Sequence, residues 1–550
     1  MLLGIDVGGT FTDAVIIENE RVLYSAKRHT THGNVAEGLL AALDGVLEGS
    51  GAAGKLKRAA ISTTLVTNAI ATGQLPKVNI FAVPGPGFDC RKAFPAPPVV
   101  IDGYTDHRGH NVHYAKLPAT AGGFLAGAPA VVSAKFSVRN PESELALERE
   151  LKARGVKDVV TGHSMSGLLG FIRRTNSAYY TAATLDLCAG FFAAVREGLK
   201  KRAIHAPLYV LKADGGTMPE NLAGRYTAET YFTGPAASAV GIKALVNPAR
   251  RAVSLDIGGT TTDIAFWEGN RPLFGKRGAK INGYPTAVRA LHLSSVPVGG
   301  DSCLKRTESG IAIGPGRVGP AMALGGSVPT LTDAFLLLRF DDFGDVEKAR
   351  SAMRSLARPG EAPEAVAGEA VRAAAGKIVA VIREMIEEYA LEPVYRVEDV
   401  IKAHKFAPEL VIGIGGAAKG LVPEIAGQLG LPFDIPAAAL VANAVGAAVA
   451  RPTILGVLRA DTALGRCILP QAAQGMDIDR KFSVRDGEIL LTEWLRREAQ
   501  NGGVEFHGAE TLWQEQFPVI RDGWQSGNII NIAMQLTPGV FFTVKGAGGQ

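Results

Sequence analysis

A short motif rich in acidic residues and glycine occurs twice in this chain, and its residue types are suited to phosphate chemistry. The first copy runs from Asp6 to Asp13 and the second from Asp256 to Asp263, and both read Asp-x-Gly-Gly-Thr-x-Thr-Asp. Each copy follows a short apolar run. Matching copies half a chain apart predict two homologous halves, with a nucleotide held in the cleft between them.

The glycines and threonines of the motif predict a phosphate site. A tight Gly-Gly turn leaves successive backbone N–H groups free to surround an anion, and threonine hydroxyls add donors. The predicted nucleotide-binding residues are Gly8, Gly9, Thr10, Thr12, Gly258, Gly259, Thr260 and Thr262. For a single copy, an ordinary Gly-Gly hairpin is the alternative. Two copies with the same pair of aspartates make coincidence a poor explanation.

The four aspartates of the two copies are the candidate catalytic residues. Asp6 and Asp256 precede the turns, where a carboxylate would repel phosphate unless a cation lay between them. They therefore predict Mg²⁺ bridged to the phosphates of ATP. Asp13 and Asp263 end the motifs and are predicted to orient a water molecule, a substrate oxygen or the loop itself.

Two further glycine-rich stretches differ in their context. Residues 413–418 read Gly-Ile-Gly-Gly-Ala-Ala between a predicted strand and a predicted helix. Their late position favours a nucleoside-binding turn at Gly415 and Gly416, and a dinucleotide fingerprint is the alternative. Residues 314–319 also match Gly-x-Gly-x-x-Gly. No helical pattern follows them, so a plain loop is predicted there.

Strands alternating with helices predict an α/β protein. Each motif joins two predicted strands, 2–6 to 11–17 and 252–256 to 262–267, as a hairpin. The predicted division is a first half over 1–250 with an insertion near 84–130, a second half over 251–453, and a C-terminal segment over 454–550. The main predicted helices cover 34–47, 141–154, 176–202, 234–245, 364–389, 421–429 and 437–450, the last of these being a buried helix.

Composition narrows the class of protein. The chain has 550 residues, 47% of them hydrophobic and 20% charged, with a net charge of +5. This fits a large folded core and gives no reason to expect nucleic acid as a partner. The apolar stretch 437–450 is too short to span a bilayer, and no signal-peptide pattern is visible. Cys90, Cys188, Cys303 and Cys467 lack metal or redox spacing. A cytoplasmic protein without a membrane partner is therefore expected.

These motifs resemble, in order, the two phosphate loops and the later adenosine loop of the actin, sugar kinase and heat-shock chaperone ATPases. Within that superfamily the chain resembles the hydantoinase/oxoprolinase family, A-type subunit. The supporting stretches are Ser62-Thr-Thr-Leu-Val-Thr-Asn68, Phe136-Ser-Val-Arg-Asn-Pro-Glu142, Gly234-Pro-Ala-Ala237, Val298-Gly-Gly-Asp-Ser302 and Gly325-Gly-Ser-Val-Pro-Thr-Leu-Thr-Asp333. The resemblance implies two actin-like (ribonuclease H-like) halves around a nucleotide cleft.

The resemblance also implies a reaction. Members of this family use ATP to open cyclic amides such as 5-oxoproline or hydantoins, or to activate ketones for carboxylation. It therefore implies an ATP-dependent hydrolase that phosphorylates a cyclic amide or related carbonyl. A B-type partner subunit often completes such a reaction, and a homo-oligomer is the alternative assembly. An ATP-driven activator or chaperone-like protein, and a sugar-type kinase, stay open as other functions.

The chain departs from larger relatives in one stretch and in its length. Those relatives read Asp-x-His-Thr-Val-Gly-Ala-Gly-Gly-Gly-Ser, whereas this chain has Ala290 for the aspartate and Asp301 for a glycine. The chain is also shorter than those relatives and carries a dissimilar tail.

Several single residues are candidates with two interpretations each. Thr63, Thr64, Asn68 and Asp301 are candidate substrate contacts, although the first three could equally cap a nearby helix. His163 and His292 are candidate metal ligands, with a hydrogen-bonded structural histidine as the favoured alternative. Asp333 is either a helix cap or a catalytic group.

Overall fold

The structure is a computed structural model that describes residues 1–31, 34–118, 127–275, 278–314, 317–340, 343–391 and 406–545. Its α-helices alternate with strands along most of this length, as an α/β fold requires. The helices are Val35–Leu47, Leu65–Ala71, Glu142–Ala153, Gly162–Met165, Phe171–Lys201, Glu220–Ala223, Thr233–Leu245, Leu331–Leu337, Val346–Leu356, Pro363–Leu391, Ala418–Leu429, Ala442–Val449 and Val484–Asn501.

The first half is built on a six-stranded sheet. Its strands follow the order Thr217–Pro219, Leu208–Leu211, Arg58–Thr63, Leu2–Val7, Phe11–Glu18 and Arg21–His29. The central strand Leu2–Val7 pairs antiparallel with Phe11–Glu18 and parallel with Arg58–Thr63. Helix Val35–Leu47 covers one face, and Asn34 caps it by accepting a hydrogen bond from the backbone N–H of Glu37.

The second half repeats this arrangement. Its main sheet follows the order Arg271–Pro272, Thr262–Glu268, Ala252–Ile257, Leu410–Ile414 and Phe433–Asp434, with Leu293–Val296 paired to Thr262–Glu268. The central strand Ala252–Ile257 again has one antiparallel neighbour that follows the motif and one parallel neighbour. The same topology around both motifs agrees with the two homologous halves that the repeat predicts.

Two helices pack between the sheets of the halves. Thr233–Leu245 contributes Ala236, Val240 and Ile242 to a core shared with the second sheet. Ala442–Val449 packs Ala444, Val445 and Ala448 against Val15 and Ile17 of the first. Ala442–Val449 therefore buries its apolar face against the half from which it does not directly emerge, whereas Thr233–Leu245 packs between the two sheets. The predicted buried helix over 437–450 is shorter, because a 3-10 turn at Ala439–Val441 precedes it.

The insertion is wider than residues 84–130. It is a four-stranded sheet in the order Val159–Thr161, Ala130–Ala134, Asn79–Val83 and Pro98–Val100, with all pairs parallel. Parallel strands require long crossover connections, so strands distant in sequence meet in one sheet and the unit extends on both sides of the predicted segment. Residues 119–126 of the predicted insertion lie outside the described residues.

The C-terminal segment has its own sheet. Its strands follow the order Gln474–Asp477, Arg466–Leu469, Leu455–Asp461, Trp524–Leu536 and Ala509–Arg521. Helix Val484–Asn501 packs Trp494 and Leu495 against this sheet. The chain then returns to the first half, where Lys545 forms a bridge with Arg21. The shorter pairs are Tyr104–Thr105 with Asn111–His113, Lys280–Ile281 with Tyr284–Pro285, and Leu304–Thr307 with Gly310–Ile313.

Helix Phe171–Lys201 is long and apolar enough to cross a membrane by length and composition alone. It packs inside the fold, with 56% of its most apolar window buried. Among its polar side chains, Thr184 Oγ1 donates to the carbonyl of Tyr180 at 2.7 Å. The helix is accounted for as a core helix of the first half.

Candidate functional site

Both motifs form the same hairpin turn. Asp6 pairs with Asp13 and Asp256 with Asp263 in the antiparallel registers of the two halves. The N–H of Gly8 donates to the carbonyl of Phe11 at 3.0 Å, and that of Gly258 donates to Thr261 at 2.9 Å. The predicted hairpins are confirmed, and each turn brings its two aspartates to the same level of the sheet.

Asn443 joins the two motifs. Its Nδ2 donates to Asp256 Oδ2 at 2.9 Å, and the same side chain lies close enough to Asp6 to lower the pKa of that carboxyl group. Ser238 Oγ donates to the same oxygen of Asp256 at 2.5 Å. Asn443 lies on Ala442–Val449 and Ser238 on Thr233–Leu245. The two central helices therefore each bring one polar group to the point where the halves meet.

Asp6 is held in an environment that suits a cation. Only 5% of the residue is exposed, and its Oδ1 has no hydrogen-bond partner among the described residues. Burial raises the pKa of Asp6 to about 7, the neighbouring polar side chains of Ser62 and Asn443 lower it, and the charges of Asp13 and Asp256 raise it further. A buried carboxylate oxygen without a donor, near other carboxylates, is suited to a hard divalent ion such as Mg²⁺.

The last aspartates of the motifs differ between the halves. Asp13 forms an ion pair with Lys27, whose Nζ lies 2.7 Å from its Oδ1. Lys27 stands opposite Asp13 on the next strand, whereas Ser295 stands opposite Asp263. Burial raises the pKa of Asp263 to about 7, and the charge of Asp256 adds to this effect. Asp263 is therefore better placed than Asp13 to hold or accept a proton near neutral pH.

Two predicted phosphate ligands need correction. Thr12 and Thr262 are fully buried. Thr12 Oγ1 lies 3.0 Å from Thr30 Oγ1, and Thr262 Oγ1 donates to the carbonyl of Val298 at 2.7 Å. Alternation along a strand turns these side chains away from the cleft, so their hydroxyls hold the loops in place. Thr10 and Thr260, at the tips of the turns, stay partly exposed, as do Gly8, Gly258 and Gly259, while Gly9 is exposed.

The third glycine-rich turn lies against the second motif. Gly415 has a φ of +90°, and a Cβ there would lie 2.6 Å from Asp256 Oδ1. Glycine is therefore required at this position both for its conformation and for the close approach. Gly416 is exposed and has open space around the place of a Cβ. The turn that the sequence predicts to bind the nucleoside is thus open beside Asp256.

The predicted substrate contacts divide into buried and accessible residues. Thr63 is buried and accepts a hydrogen bond from the N–H of Leu65, which is a structural role at the start of a helix. Thr64 Oγ1 donates to the carbonyl of Val7 and accepts from Asn68 Nδ2. Asn68 is exposed and Thr64 partly so. Thr64 and Asn68 are therefore the candidates that stay within reach of a ligand beside the first motif.

Asp301 lies on the second motif. Its backbone N–H donates to the carbonyl of Gly259 at 2.6 Å, and a Cβ at Gly259 would lie 2.8 Å from its Oδ2. The same carboxylate oxygen lies 3.1 Å from Arg317 Nε. Burial raises the pKa of Asp301 and the charge of Arg317 lowers it. The predicted loop over 314–319 thus supplies a guanidinium beside the second motif, although residues 315 and 316 lie outside the described residues.

The histidines and Asp333 take structural roles. His163 Nδ1 lies 2.6 Å from Glu144 Oε2, and both residues are buried. The backbone N–H of His292 donates to Leu273 at 2.8 Å, and its ring contacts Phe266 and Tyr389. Neither histidine belongs to a group of three or more potential metal ligands among the described residues. Asp333 forms a capping box with Thr330.

Sequence reasoning missed Asn443, Ser238, Lys27 and Arg317. Asn443 carried a usable signal, because it is the only polar residue in an otherwise apolar stretch over 437–450. A polar side chain in such a helix must find a buried partner. The other three carried no local signal, since their partners come from separate elements.

Two homologous α/β halves with paired phosphate-type turns define an actin-like fold. A family model for hydantoinase/oxoprolinase matches residues 174–455, and the model for the N-terminal region of that family matches residues 2–94. The chain therefore belongs to the hydantoinase/oxoprolinase family.

Curated relatives are distant and longer. The acetophenone carboxylase gamma subunit of Aromatoleum aromaticum is 24% identical over 391 residues, covering 62% of this chain and 53% of that protein. The caprolactamase subunit alpha of Pseudomonas jessenii is 24% identical over 481 residues, covering 78% and 67%. The chain thus spans about half the length of the first relative and two thirds of the second.

Solved structures share the fold over nearly the whole chain. Nucleotide-free acetone carboxylase superposes with a TM-score of 0.66 at 17% identity, covering 98% of this chain and 88% of that one. The ATP-dependent caprolactamase from Pseudomonas jessenii gives a TM-score of 0.68 at 17% identity, covering 97% and 87%. At this identity the likeness establishes the architecture of the two halves.

Proposed function

We propose that this chain binds ATP·Mg²⁺ between its halves and uses it to activate a cyclic amide or related carbonyl. The observation that carries the proposal is the meeting of Asp6 and Asp256 through Asn443, beneath two glycine turns of the same geometry. Exposed Gly416, in the turn beside Asp256, keeps that turn accessible to a nucleoside. Membership of the hydantoinase/oxoprolinase family supports the choice of substrate class.

Some residues of the two motifs would bind Mg²⁺ and phosphate, and one would hold or transfer a proton. Asp6 and Asp256 would hold Mg²⁺, which when bound neutralises charge between carboxylates and phosphates. Backbone N–H groups at Gly9 and Gly259 would hold phosphate oxygens, with Thr10 and Thr260 adding hydroxyl donors. Asp263 would hold or move a proton at its carboxylate, because its pKa lies near 7 and its neighbour is Ser295 rather than a cation.

Activation of an amide has a clear chemical reason. An amide carbon is a poor electrophile, and transfer of the γ-phosphoryl group to its oxygen creates a good leaving group while ADP departs. Water or a carbon nucleophile can then attack the carbon. Hydantoins, lactams such as 5-oxoproline and small ketones are the candidate substrates. Ring opening by water is our first choice, and carboxylation is the alternative, since the relatives are named for both kinds of reaction.

A second polypeptide is part of the proposal. The relatives are named as a gamma subunit and a subunit alpha. A phosphorylated amide reacts with water, so its consumption should follow in a sheltered site nearby. We infer that a B-type partner subunit completes the reaction, with assembly of several copies of this chain as the alternative. A cytoplasmic location stays a prediction.

Substrate-dependent release of ADP tests the proposal. Purified chain, alone and with its B-type neighbour, is incubated with ATP, Mg²⁺ and a panel of hydantoins, lactams, ketones and sugars. At least one ring amide or ketone should accelerate ADP release, and added bicarbonate separates carboxylation from hydrolysis. Stimulation by sugars alone would replace the ring-amide assignment with a sugar-type kinase.

An ATP-driven activator is the second candidate function. Activators of that class use a cysteine-ligated cluster between subunits. All four cysteines here are buried, and burial raises the pKa of Cys188 and Cys467 to about 12, which disfavours the thiolate needed for ligation. ATP hydrolysis that no small molecule stimulates, but that a protein partner does, would favour the activator.

A further inference from the structure

A pocket lined mainly by arginine lies between the insertion and the C-terminal sheet. Its volume is about 180 Å³. The lining residues are Arg108, Gly109, His110 and Arg139 from the insertion side, and Arg459, Asp461, Leu464, Arg466 and Ile468 from the C-terminal sheet. None of them belongs to the three glycine-rich turns of the nucleotide cleft.

The C-terminal side of the pocket follows from strand register. Arg459 stands opposite Ile468, and Asp461 stands opposite Arg466, on neighbouring antiparallel strands. Residues two apart on a strand share a face, so all four side chains project to the same side of the sheet. Arg459 and Arg466 are thus fixed on one wall by the pairing itself.

A tight turn forms the other wall. Asp106 Oδ1 accepts hydrogen bonds from the backbone N–H groups of Arg108 and His110. Gly109 has a φ of +93°, and a Cβ there would lie 2.9 Å from the carbonyl of Arg139. The turn therefore packs directly against Arg139. Arg139 lies in the Phe136–Glu142 stretch, which contributes none of the candidate nucleotide-binding residues.

Positive charge in the pocket exceeds its counter-ions. Arg108 Nη2 lies 2.5 Å from Asp461 Oδ2, the one carboxylate among the lining residues. Arg459 Nη1 instead donates to the neutral side chain of Asn531 at 2.9 Å. The Nε atoms of Arg108 and Arg139 are buried without a hydrogen-bond partner in the described part of the chain. Such donors are costly to leave unpaired.

The pKa of Arg459 agrees with an excess of positive charge in the pocket. Burial lowers its pKa to about 10, the charges of Arg139 and Arg108 lower it further, and Asp461 offsets part of the effect. Burial also lowers the pKa of Arg139, while the charges of Asp106 and Asp461 raise it. Like charges held together in a partly buried site are stabilised when an anion joins them.

We propose that this pocket binds a small oxyanion with at least two negative charges, of the phosphate or dicarboxylate class. Arg139, Arg459 and Arg108 would donate to its oxygens, since planar guanidinium groups match both carboxylate and phosphate geometry. The bound anion would tie the insertion to the C-terminal sheet. The site is separate from the nucleotide cleft and does not depend on the function proposed for it.

Titration calorimetry and thermal unfolding test the site. The probes are inorganic phosphate and succinate, and sodium chloride at the same ionic strength is the control. Wild type is compared with Arg139→Gln, Arg459→Gln and the control Arg480→Gln, an exposed arginine of the same C-terminal segment. Phosphate, succinate or both should bind saturably to wild type and control. Each pocket variant should bind at least about tenfold more weakly.

The variants also separate binding from folding. Arg139→Gln should leave the unligated protein as stable as wild type or more so, because it removes repulsion. In this variant, the anion should no longer raise the melting temperature. Saturation by phosphate alone identifies a phosphoryl-type ligand, and saturation by succinate alone a dicarboxylate. The site is refuted if neither anion saturates wild type, or if all four proteins respond alike and sodium chloride reproduces the effect.

Discussion

At the scale of single residues, the candidate site is a set of carboxylates held close together without a protein cation to balance all of them. Lys27 neutralises Asp13, and Asn443 and Ser238 give neutral hydrogen bonds to Asp256. Asp6 and Asp263 have no basic partner among their described contacts, and the pKa of each is raised to about 7. The proposed Mg²⁺, bound with the nucleotide, would balance the charges of these carboxylates.

Replacing Asp6 or Asp256 by Asn should lower Mg²⁺-dependent, substrate-stimulated ADP release. Either change removes one charge from the proposed Mg²⁺ site while keeping its shape, and the expected loss is on the order of 10²–10³-fold in kcat/KM. Asp522→Asn is the matched control, since Asp522 is exposed in a hairpin turn at a φ of +52°, which Asn tolerates. Equal activity of all three variants would contradict the assignment.

Stability without ligand should fall as pH rises toward neutral. Asp6 has a pKa of about 7 in the folded protein and an ordinary value of 3.8 in the unfolded chain. Between these values the folded state retains a proton that the unfolded state has lost, so the free energy of unfolding decreases with rising pH. The contribution is fully present below the unfolded pKa and is lost as pH passes through the folded pKa.

Urea unfolding without Mg²⁺ or nucleotide, measured from about pH 5 to about pH 8, checks this dependence. Asp6→Asn should make the decline less steep, and Asp263→Asn should do the same because the pKa of Asp263 is also about 7. A decline of the same steepness in wild type and both variants would show that neither carboxyl is its source.

At the scale of elements, the site depends on how closely the two central helices approach each other. A Cβ at Gly241 would lie 2.2 Å from the carbonyl oxygen of Ala442, and one at Gly446 would lie 2.3 Å from that of Ala237. A Cβ at Gly4, on the central strand, would lie 2.0 Å from the carbonyl oxygen of Ala444. Glycine at these contacts lets Asn443 and Ser238 reach Asp256 from two helices.

Gly241→Ala should destabilise the protein and weaken nucleotide binding together. The added methyl meets backbone rather than a movable side chain, so the helices must separate, at a cost of about 1–3 kcal/mol. Chemical unfolding and ADP calorimetry measure the two effects. The control is Gly427→Ala, on a helix surface with nothing within 4 Å of the new Cβ, where a gain of about 0.5–1 kcal/mol is expected. Destabilisation at Gly427 but not at Gly241 would refute the role of the close contact.

At the scale of the whole molecule, the C-terminal segment presents an exposed apolar hairpin tip. The structure places two tryptophans of this segment in different environments. Trp494 is 8% exposed in the small C-terminal core, whereas Trp524 is 81% exposed at the turn between the two longest strands. Phe517 and Ile520 lie on the same hairpin and are also exposed. Such a tip is suited to contact with a second polypeptide.

Trp524→Ser should weaken association with the B-type partner by about tenfold or more without changing the melting temperature. Sedimentation of the chain co-expressed with its genomic neighbours measures the association. Trp494→Ala is the contrasting variant and should lower stability by about 3–5 kcal/mol, because it empties a packed core. A strictly monomeric wild type that completes turnover of a substrate unaided would refute the requirement for a partner.

The sequence alone predicted the two halves, both hairpins, the position of the third glycine turn and most of its proposed helices to within a few residues. Helices Val346–Leu356 and Val484–Asn501 were not predicted. The predicted features arise from turn chemistry and periodicity that act over neighbouring residues. The Asp-x-Gly-Gly-Thr-x-Thr-Asp motif occurs twice in this chain. This repetition favoured a phosphate site over an ordinary hairpin turn. The family could be recognised for the same reason, since its motifs are short and local.

Which side chains contact each other could be read only from the folded structure. Asn443 reaches Asp256 across 187 positions of the chain, and Lys27 reaches Asp13 from an adjacent strand. Thr12 was expected at phosphate, but strand alternation turns it toward Thr30. Such contacts depend on helix approach and sheet order, which involve residues distant in sequence. Burial then set the pKa values of Asp6 and Asp263, because desolvation of a carboxylate is a property of the assembled fold.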